Sequence, residues 1–264
     1  MSGSFLEVQE LAVDFRATRV LGPVSFEVRA GETLGLVGES GSGKSTLARA
    51  ILRLIPASQG RVLWEGTDLL RCKAASLRRH RREIQIVFQD ASASLDPRMR
   101  VAASLSEPLE VFERRMRGPE RQMRIARMMD RVGLAETLLD RYPHELSGGQ
   151  CQRVGIARAM MLQPRLLVCD EPVSSLDVSI QGQIVNLLVE LQQEFGTAML
   201  FISHNLAVVR HLSHRVMVMH HGQLVETADC ETLFRAPSHP YTRALLAAVP
   251  DPARALERSP RGTG

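Results

Sequence analysis

Aromatic residues, cysteines and long apolar runs are all scarce in this 264-residue chain. Aromatic residues account for 4% of it, against 44% hydrophobic and 23% charged residues. The uncharged stretch 196–209 is interrupted by Ser203, His204 and Asn205, and no run reaches the roughly 18–20 apolar residues that cross a membrane. The first ten residues lack the basic and apolar parts of a signal peptide. We therefore expect a globular chain located in the cytoplasm.

The cysteines and histidines show no metal-binding spacing. The four cysteines are Cys72, Cys151, Cys169 and Cys230. They contain no CxxC pair, which argues against a disulfide framework or a structural zinc site. Cys169 lies in an apolar run, where a cysteine usually packs as a small hydrophobic residue. His211 and His214 lie three residues apart on a predicted helix, and we expect no metal there.

The net charge is mild for a nucleic-acid-binding protein. The chain has 33 Lys and Arg against 29 Asp and Glu, which gives a formal charge of +4. Arginines cluster in residues 71–82 and 114–131, and both segments are predicted to be mainly helical. A solvated helix face explains such clusters most simply. Contact with an acidic partner, with membrane headgroups or with nucleic acid is the alternative.

Turns rich in glycine and proline divide the chain into strand and helix units. The runs 165–170 and 198–203 are apolar on both faces, which is typical of parallel strands covered by helices. Further strands are predicted at residues 6–15, 24–28, 33–38, 84–89, 215–220 and 223–227. Between residues 98 and 164 the pattern predicts only helices, at 101–112, 119–132 and 148–162. The sequence thus predicts an α/β fold with an all-helical insertion.

Three shorter features complete this outline. Residues 178–194 carry apolar side chains at helical spacing, which predicts a helix packed on the core. The segment 220–222, His-His-Gly, predicts a hairpin turn between two strands. The end of the chain, 250–264, is rich in Pro, Arg and Gly, and we expect it to fray.

A phosphate-binding loop is the strongest single motif. Residues Gly38–Ser45 read GESGSGKS, which fits the pattern GxxxxGK[ST] between a predicted strand and a predicted helix. Its glycines let backbone N–H groups face a phosphate at a helix N-terminus. Lys44 would contact the β- and γ-phosphates, and the Ser45 hydroxyl would reach Mg²⁺. This motif predicts that the chain binds a nucleoside triphosphate.

Two carboxylates follow the apolar run that ends at residue 170. Asp170 at the end of this strand is placed to support Mg²⁺. Glu171, one residue further, is placed to act as general base toward a water molecule. A strand followed by Asp-Glu is a weak motif alone, because such pairs are often merely solvated. Together with the phosphate-binding loop it predicts a hydrolytic site.

A second anion-binding helix start lies about 100 residues beyond the first. Leu146–Gln150 read LSGGQ and precede a helical segment, so a serine hydroxyl and helix N-terminal amides would face an anion. Two such sites in one chain suggest that two molecules share their nucleotides. His204 follows the run 198–203 and is placed near a γ-phosphate, although an isolated histidine there is more often structural.

With these motifs the chain resembles the ATP-binding cassette (ABC) ATPases over essentially its whole length. LSGGQ is the signature of that family. Gln89 matches its Q-loop, residues 174–177 (SSLD) its D-loop and His204 its switch histidine. Phe15 falls where the family keeps an aromatic residue that stacks on adenine.

The resemblance implies a fold and a division of the chain. The fold is α/β, with a RecA-like P-loop core, an antiparallel β subdomain and an inserted α-helical subdomain. A single ABC ATPase domain would span 1–264. The core and β subdomain would cover 1–94 and 164–235, the helical subdomain 95–163 and a C-terminal tail 236–264.

The resemblance also implies a head-to-tail dimer that holds two ATP molecules with Mg²⁺. Residues Lys44, Ser45, Gln89, Asp170, Glu171 and His204 would act from one subunit, and Ser147, Gly149 and Asp177 from the other. The expected catalytic residues are Glu171, His204 and Gln89, and the expected metal site is Ser45, Gln89 and Asp170. The expected nucleotide-binding residues are Phe15, Gly38, Ser40, Gly41, Ser42, Gly43, Lys44, Ser45, Thr46, Ser147, Gly148, Gly149, Gln150 and Asp177.

A finer resemblance is to the oligopeptide, dipeptide and nickel importer branch. The segment His239–Arg243 (HPYTR) is characteristic of it, whereas Ala91 and Asp96 depart from its usual Pro and Asn. No cysteine-rich segment follows Pro250, so we expect no iron–sulfur cluster. The resemblance implies an ATPase on the cytoplasmic face of the inner membrane that energises peptide uptake.

The expected partners are two transmembrane permease subunits, a second ATPase subunit and, indirectly, a solute-binding protein. Uptake of nickel or another metal complex is the alternative within this branch, and the second ATPase could be a copy of this chain or a paralogue. From a different class, a nucleic-acid- or ribosome-linked ABC ATPase is the remaining alternative. The chain lacks the long coiled-coil insertion and the second cassette that such proteins carry, so we expect no nucleic-acid partner.

Overall fold

The computed structural model describes residues 5–16 and 18–248. Ten strands run through these residues. They are β1 Leu6–Phe15, β2 Thr18–Val28, β3 Thr33–Val37, β4 Gln59–Trp64, β5 Thr67–Asp68, β6 Ile84–Val87, β7 Leu166–Asp170, β8 Ala198–Ile202, β9 Arg215–His220 and β10 Gln223–Asp229. The same residues form ten α-helices. They are α1 Lys44–Ile51, α2 Ala74–Glu83, α3 Ala91–Ser94, α4 Val101–Phe112, α5 Gly118–Arg131, α6 Gly148–Met160, α7 Val178–Phe195, α8 Leu206–Leu212, α9 Cys230–Arg235 and α10 Pro240–Ala247.

The central sheet has six strands in the order β10-β9-β3-β8-β7-β6. All its pairings are parallel except the β9–β10 hairpin. Alternate residues along its strands enter two separate cores: Leu200 and Ile202 of β8 face one core, and Met199 and Phe201 face the other. Because both faces are covered, the strands are apolar throughout, as predicted. The α/β prediction is confirmed.

A second sheet, antiparallel, lies over one face of the central sheet. Its strand order is β2-β1-β4-β5. Side chains of α1, such as Leu47 and Ile51, are buried in the same core as Leu6 of β1 and Leu36 of β3. The phosphate-binding helix is therefore held between the two sheets. Trp64 of β4 is 1% exposed and anchors this core.

The segment between β6 and β7 is helical throughout, as expected of an all-helical insertion. It contains α3 to α6 and two short 3-10 turns, Glu136–Asp140 and Pro143–Glu145. Buried residues of α4, α5 and α6 share one continuous core with β6, β7 and β8. The insertion is thus packed on the sheet that carries the site, rather than attached by a free linker.

Several details differ from the sequence-based expectations. Strands β4 and β5 were not predicted, because Gly60 interrupts the apolar pattern of β4. Helix α5 begins only at Gly118, so Arg114 and Arg115 precede it. Helix α8 ends at Leu212, and His214 therefore lies beyond it, where its Nδ1 accepts a hydrogen bond from the Thr33 N–H at 3.0 Å.

The C-terminal part of the chain is only partly described. Residues 240–247 form α10, and the segment 250–264, expected to fray, lies outside the described residues. No helix within the described ranges is both long enough and apolar enough to cross a membrane. The four cysteines are free thiols, and burial raises the pKa of the Cys169 thiol, as fits a small buried hydrophobic residue.

Candidate active site

At two positions, the loop between β3 and α1 has backbone dihedral angles that favour glycine. Gly38 has φ +154° and Gly43 has φ +105°. A Cβ on Gly38 would lie 2.2 Å from the Met219 carbonyl oxygen of β9. The loop therefore packs directly against the end of β9, and its remaining residues wrap around the N-terminus of α1.

Lys44 is held inside this loop by two carbonyl groups. Its Nζ donates to Gly38 O at 2.9 Å and to Glu39 O at 2.8 Å. The side chain is 3% exposed and lies 3.9 Å from Glu171 Oε1. Burial lowers the pKa of Lys44, while Glu171 and Asp170 act in the opposite direction. A buried positive charge at this place is suited to an anionic ligand.

The loop also offers an unsatisfied hydroxyl. The Oγ of Ser42 is buried and has no hydrogen-bond partner among the described residues. A buried polar atom without a partner costs roughly 1–3 kcal/mol, and phosphate oxygens would satisfy it. Ser40 and Gly41 are exposed at the tip of the loop, and Thr46 is half-buried in the first turn of α1. This part of the chain therefore fits a phosphate group.

Ser45 and Asp170 join the phosphate-binding loop to the end of β7. The Ser45 hydroxyl donates to Asp170 Oδ1 at 2.7 Å across 125 residues of sequence. Burial raises the pKa of Asp170, which is 2% exposed, and the bond from Ser45 opposes that rise. A hydroxyl and a carboxylate are oxygen donors of the kind that Mg²⁺ prefers. The donor set fits the metal ion expected here.

Glu171 is turned toward the same loop by an unusual backbone. Its φ is +51°, in the left-handed region that non-glycine residues rarely adopt. Its N–H donates to Ile202 O of β8 at 3.0 Å, which fixes this turn. One carboxylate oxygen faces Lys44 and the other lies 3.1 Å from His204 Nδ1. Backbone strain that aims a carboxylate into a site is typical of functional residues.

His204 and Gln89 lie at the open side of the site. The His204 side chain is 55% exposed, and Gln89 is also exposed. Gln89 follows β6 and lines a cleft of about 340 Å³ together with Asp170 and Arg49. The structure thus brings together Lys44, Ser45, Gln89, Asp170, Glu171 and His204, the six residues expected to act within one subunit.

The signature segment begins α6 with its own capping arrangement. The Ser147 hydroxyl accepts from Gln150 N at 3.3 Å, and Gln150 Oε1 accepts from Ser147 N at 2.9 Å. Ser147 and Gly148 are exposed. Within residues 5–16 and 18–248, no hydrogen bond joins this segment to the phosphate-binding loop. In its own chain the signature thus has no hydrogen bond to the loop that holds Lys44, and it lies on the Gln89 side of the site.

The D-loop residue and the aromatic residue are also exposed. Asp177 precedes α7, its side chain caps no amide of that helix, and the neighbouring Val178 is 84% exposed. Phe15 ends β1 and is 49% exposed.

Gln89, Gly148 and Leu176 border one cleft, so the Q-loop, the signature and the D-loop meet at one surface.

Sequence reasoning missed one residue at the phosphate-binding loop. The Oη of Tyr241 in α10 accepts a hydrogen bond from the Glu39 N–H at 3.2 Å. These residues are 202 positions apart, and no local pattern signals their contact. The segment His239–Arg243 is characteristic of the importer branch, but its sequence does not indicate a contact with the phosphate-binding loop.

Two family models match the chain. One, described as ABC transporter, matches residues 21–174. The other, described as Oligopeptide/dipeptide transporter, C-terminal region, matches residues 225–264. The second match covers α9, α10 and the segment that contains Tyr241.

Curated relatives are similar over nearly the whole chain. The chain is 48% identical over 267 residues to the oligopeptide transport ATP-binding protein OppF of Haemophilus influenzae, and the alignment covers 96% of this chain and 80% of that protein. It is 52% identical over 241 residues to the glutathione import ATP-binding protein GsiA of Pectobacterium atrosepticum, covering 90% of this chain and 38% of that protein.

Solved structures agree with the fold. The cbiO1 protein of Clostridium perfringens, part of the transporter complex cbiONQ, matches with a TM-score of 0.80 at 27% identity, covering 96% of this chain and 99% of that one. The dimeric ATP-binding cassette MJ0796 bound to ADP and phosphate matches with a TM-score of 0.77 at 28% identity, covering 85% of this chain and 98% of that one. The chain belongs to the ABC transporter family and is an ATPase that binds ATP with Mg²⁺.

Proposed function

We propose that this chain is the ATP-hydrolysing subunit of a peptide importer. The observation that carries this proposal is the match of residues 225–264 to the C-terminal region of oligopeptide and dipeptide transporters, together with relatives named for oligopeptide and glutathione import. Both names describe short peptides. Nickel uptake is the alternative within the same branch.

Binding of ATP is assigned to the residues around α1. Lys44 and the backbone amides of the glycine-rich loop would hold the β- and γ-phosphates, since the loop places them at a helix N-terminus. The exposed ring of Phe15 would stack on the adenine. Ser45, Asp170 and Gln89 would hold Mg²⁺, which when bound neutralises charge on the phosphate oxygens.

Hydrolysis is assigned to Glu171 and His204. Glu171 lies between Lys44 and His204, so one carboxylate group adjoins both the phosphate-binding lysine and the open side of the site. A carboxylate in this place can accept a proton from an attacking water molecule. His204 orients that carboxylate through their hydrogen bond and adjoins the region of the γ-phosphate.

The complete site is proposed to need a second ATPase subunit. Ser147 and Asp177 are exposed, and the exposed apolar residue Val178 adjoins Asp177. Among the described residues, no hydrogen bond joins Ser147, Gly149 or Asp177 to the phosphate-binding loop of their own chain. In a head-to-tail dimer, these residues, with Gly148 and Gln150, would contact the ATP bound by the partner. The similarity to a dimeric cassette supports this arrangement.

The proposed setting is the cytoplasmic face of the inner membrane. The chain would bind peripherally to two permease subunits, and a solute-binding protein would deliver the peptide to them. Within the chain, residues 1–94 and 164–235 would form the core and the β subdomain, 95–163 the helical subdomain and 236–264 the C-terminal region. Movements caused by ATP would reach the permeases through the segment after Gln89.

A co-purification experiment tests the proposed partners. Glu171→Gln should hold the ATP-bound dimer closed, so a tagged variant solubilised from membranes with ATP should retain its partners for mass spectrometry. The matched control is Glu190→Gln, which changes an exposed glutamate of α7. Recovery of two multispanning proteins supports the transporter assignment. Recovery of ribosomal or DNA-bound proteins instead would overturn it.

The substrate requires a second measurement. A strain that lacks the gene should lose uptake of a radiolabelled di-, tri- or oligopeptide and regain it with the wild-type chain but not with Glu171→Gln. Loss of radioactive nickel uptake with unchanged peptide uptake would contradict the peptide assignment while leaving the ATPase intact.

A further inference from the structure

The C-terminal segment is fixed to the central sheet by one carboxylate. Glu226 of β10 accepts three hydrogen bonds from residues that precede α10: Ser238 N at 2.7 Å, Ser238 Oγ at 2.8 Å and His239 N at 3.0 Å. Burial alone would raise the pKa of Glu226, but the nearby Thr242 hydroxyl and these bonds lower it to about 2. A carboxylate that stays ionised and accepts three bonds is a strong anchor.

From this anchor, α10 carries Tyr241 to the phosphate-binding loop. The Tyr241 ring stacks on His220 with 3.8 Å between ring centroids and 25° between planes. His220 ends β9, and in the following turn the Gly222 N–H donates to Ser42 O at 2.9 Å. Two separate contacts, from the β9–β10 turn and from α10, therefore reach the outer side of the loop that holds Lys44.

The contact of Tyr241 is made to one particular peptide group. Its hydroxyl oxygen accepts from the Glu39 N–H, and the carbonyl of the same peptide unit, Gly38 O, accepts from Lys44 Nζ at 2.9 Å. Because N–H and C=O point in opposite directions across a trans peptide, Tyr241 holds this peptide from outside while Lys44 binds it from inside. The orientation of this peptide therefore sets one of the two carbonyl contacts that hold the Lys44 ammonium.

We propose that Tyr241 is a positioning residue for the phosphate-binding loop and that the C-terminal segment thereby sets the affinity for ATP. The proposal rests on the assignment of this loop to ATP binding. It gives the region matched to oligopeptide and dipeptide transporters a direct connection to the nucleotide site. Tyr241 is assigned to act through the Gly38–Glu39 peptide and Lys44 rather than on the nucleotide itself.

The expected effect is on binding rather than on turnover. We expect this hydrogen bond to persist during hydrolysis, so its loss should weaken the ground state and the transition state equally, which raises KM and leaves kcat unchanged. Glu39 is exposed, so water can replace the tyrosine hydroxyl. The effect should therefore be modest, about 2- to 10-fold, as for the loss of one hydrogen bond.

The test compares three variants of the full chain by titration with ATP and with ADP. Tyr241→Phe keeps the stacked ring and removes only the acceptor. Tyr142→Phe is the matched control, because Tyr142 is the other of the two tyrosines in the chain. Glu226→Gln weakens the anchor. We expect Tyr241→Phe to raise Kd for both nucleotides by about 2- to 10-fold, and Tyr142→Phe to leave it unchanged.

The anchor variant and the kinetics give independent readouts. Glu226→Gln should raise Kd in the same direction, and the double variant should show less than the product of the two single effects, because both act through one contact. An unchanged Kd for Tyr241→Phe, or a fall in kcat at unchanged KM, overturns the proposal. A wild-type chain that binds no ATP would instead overturn the assignment of the loop itself.

Discussion

The imidazole of His204 and the carboxylate of Glu171 lie 3.1 Å apart, between Nδ1 and Oε2, although 33 residues separate them in sequence. The contact arises because β7 and β8 are parallel neighbours, so the residues that follow them emerge at the same edge of the sheet. The left-handed backbone of Glu171 then turns its carboxylate toward both His204 and Lys44. One side chain thereby connects the lysine of the phosphate-binding loop with the switch histidine.

Replacement of Glu171 should separate hydrolysis from binding. Glu171→Gln keeps the size and the hydrogen bonding of the side chain but removes the base, and we expect ATP turnover to fall by about 10²- to 10⁴-fold. ATP affinity should stay within a few-fold of the wild type. Steady-state turnover and equilibrium binding measured on one preparation, with Glu190→Gln as control, check this. Unaltered turnover would remove Glu171 from the role of general base.

Replacement of Lys44 should remove tight nucleotide binding. The chain contains only two lysines, Lys44 and Lys73, so Lys73→Ala is a natural control for loss of an ammonium group. Lys44→Ala deletes both bonds to the loop carbonyls and the positive charge next to Glu171. We expect ATP affinity to fall by at least 100-fold, since hydrogen bonds to charged groups contribute about 1.5–3 kcal/mol each.

The measurement is an ATP titration of each lysine variant in the presence of Mg²⁺. Lys73→Ala should bind as the wild type does. Wild-type affinity in Lys44→Ala would contradict the phosphate assignment.

The buried carboxylate of Asp170 should cost stability in the nucleotide-free protein. Burial raises the pKa of Asp170 above its ordinary value of 3.8. As pH rises, the unfolded chain therefore loses this proton first, and the native state is destabilised progressively until the pH exceeds the native pKa. Above that point the cost is constant.

Asp170→Asn removes this cost while the side-chain oxygen can still accept the bond from Ser45. We expect the nucleotide-free protein to gain on the order of 1 kcal/mol, or roughly 2–4 °C in Tm at neutral pH. The gain should shrink as the pH falls through the raised native pKa of Asp170 and vanish below the ordinary value of 3.8, and Mg²⁺-dependent ATP binding should weaken. Thermal unfolding at several pH values, with the exposed Asp177→Asn as control, measures it. A lower Tm for Asp170→Asn would show that its attraction to Lys44 and Arg49 outweighs the burial.

The parts of the fold that sequence predicts are those with a local signal. Strands β7 and β8 are apolar on both faces, and parallel strands bring the carboxylates after β7 to the same edge as the phosphate-binding loop. The contact between Ser45 and Asp170 could therefore be anticipated. Strand β4 was missed because Gly60 breaks its pattern: the glycine has φ +98°, and a Cβ there would lie 2.5 Å from Glu10 O of β1.

The parts that sequence could not predict depend on distant packing. The turn at Glu171 is stabilised by the carbonyl of Ile202, and the sequence around Glu171 contains no glycine to indicate it. The position of Tyr241 depends on the β9–β10 hairpin and on the three bonds of Glu226, all remote from residue 39. To predict such contacts, one must know the order and register of the strands in the whole sheet, and the local sequence pattern does not contain this information.

Ser147 should act on the ATP that is bound by the other subunit. Its hydroxyl caps its own helix at an exposed surface, and no hydrogen bond within the described residues links it to Lys44. Ser147→Leu removes the hydroxyl and should reduce turnover at least 10-fold without weakening ATP binding by the isolated chain. Loss of the helix cap in Ser147→Leu should also destabilise the chain by about 1 kcal/mol. Ser147→Thr is the control, because it keeps the hydroxyl and should therefore keep both the cap and the turnover.

A mixture of two inactive variants distinguishes action across the interface from action within one chain. In a head-to-tail dimer, each nucleotide site pairs the phosphate-binding loop of one subunit with the signature of the other. When a Lys44→Ala subunit pairs with a Ser147→Leu subunit, one site therefore contains both substitutions and the other site contains neither. Half of randomly paired dimers would be mixed and each would have one intact site, so the mixture should reach about a quarter of the wild-type turnover, more than either preparation alone. If Ser147→Leu alone hydrolyses ATP normally, the serine has no role at the nucleotide. If both variants are inactive and their dimers, verified by differential tags, remain so, the two residues must serve the same chain, and the head-to-tail arrangement is wrong.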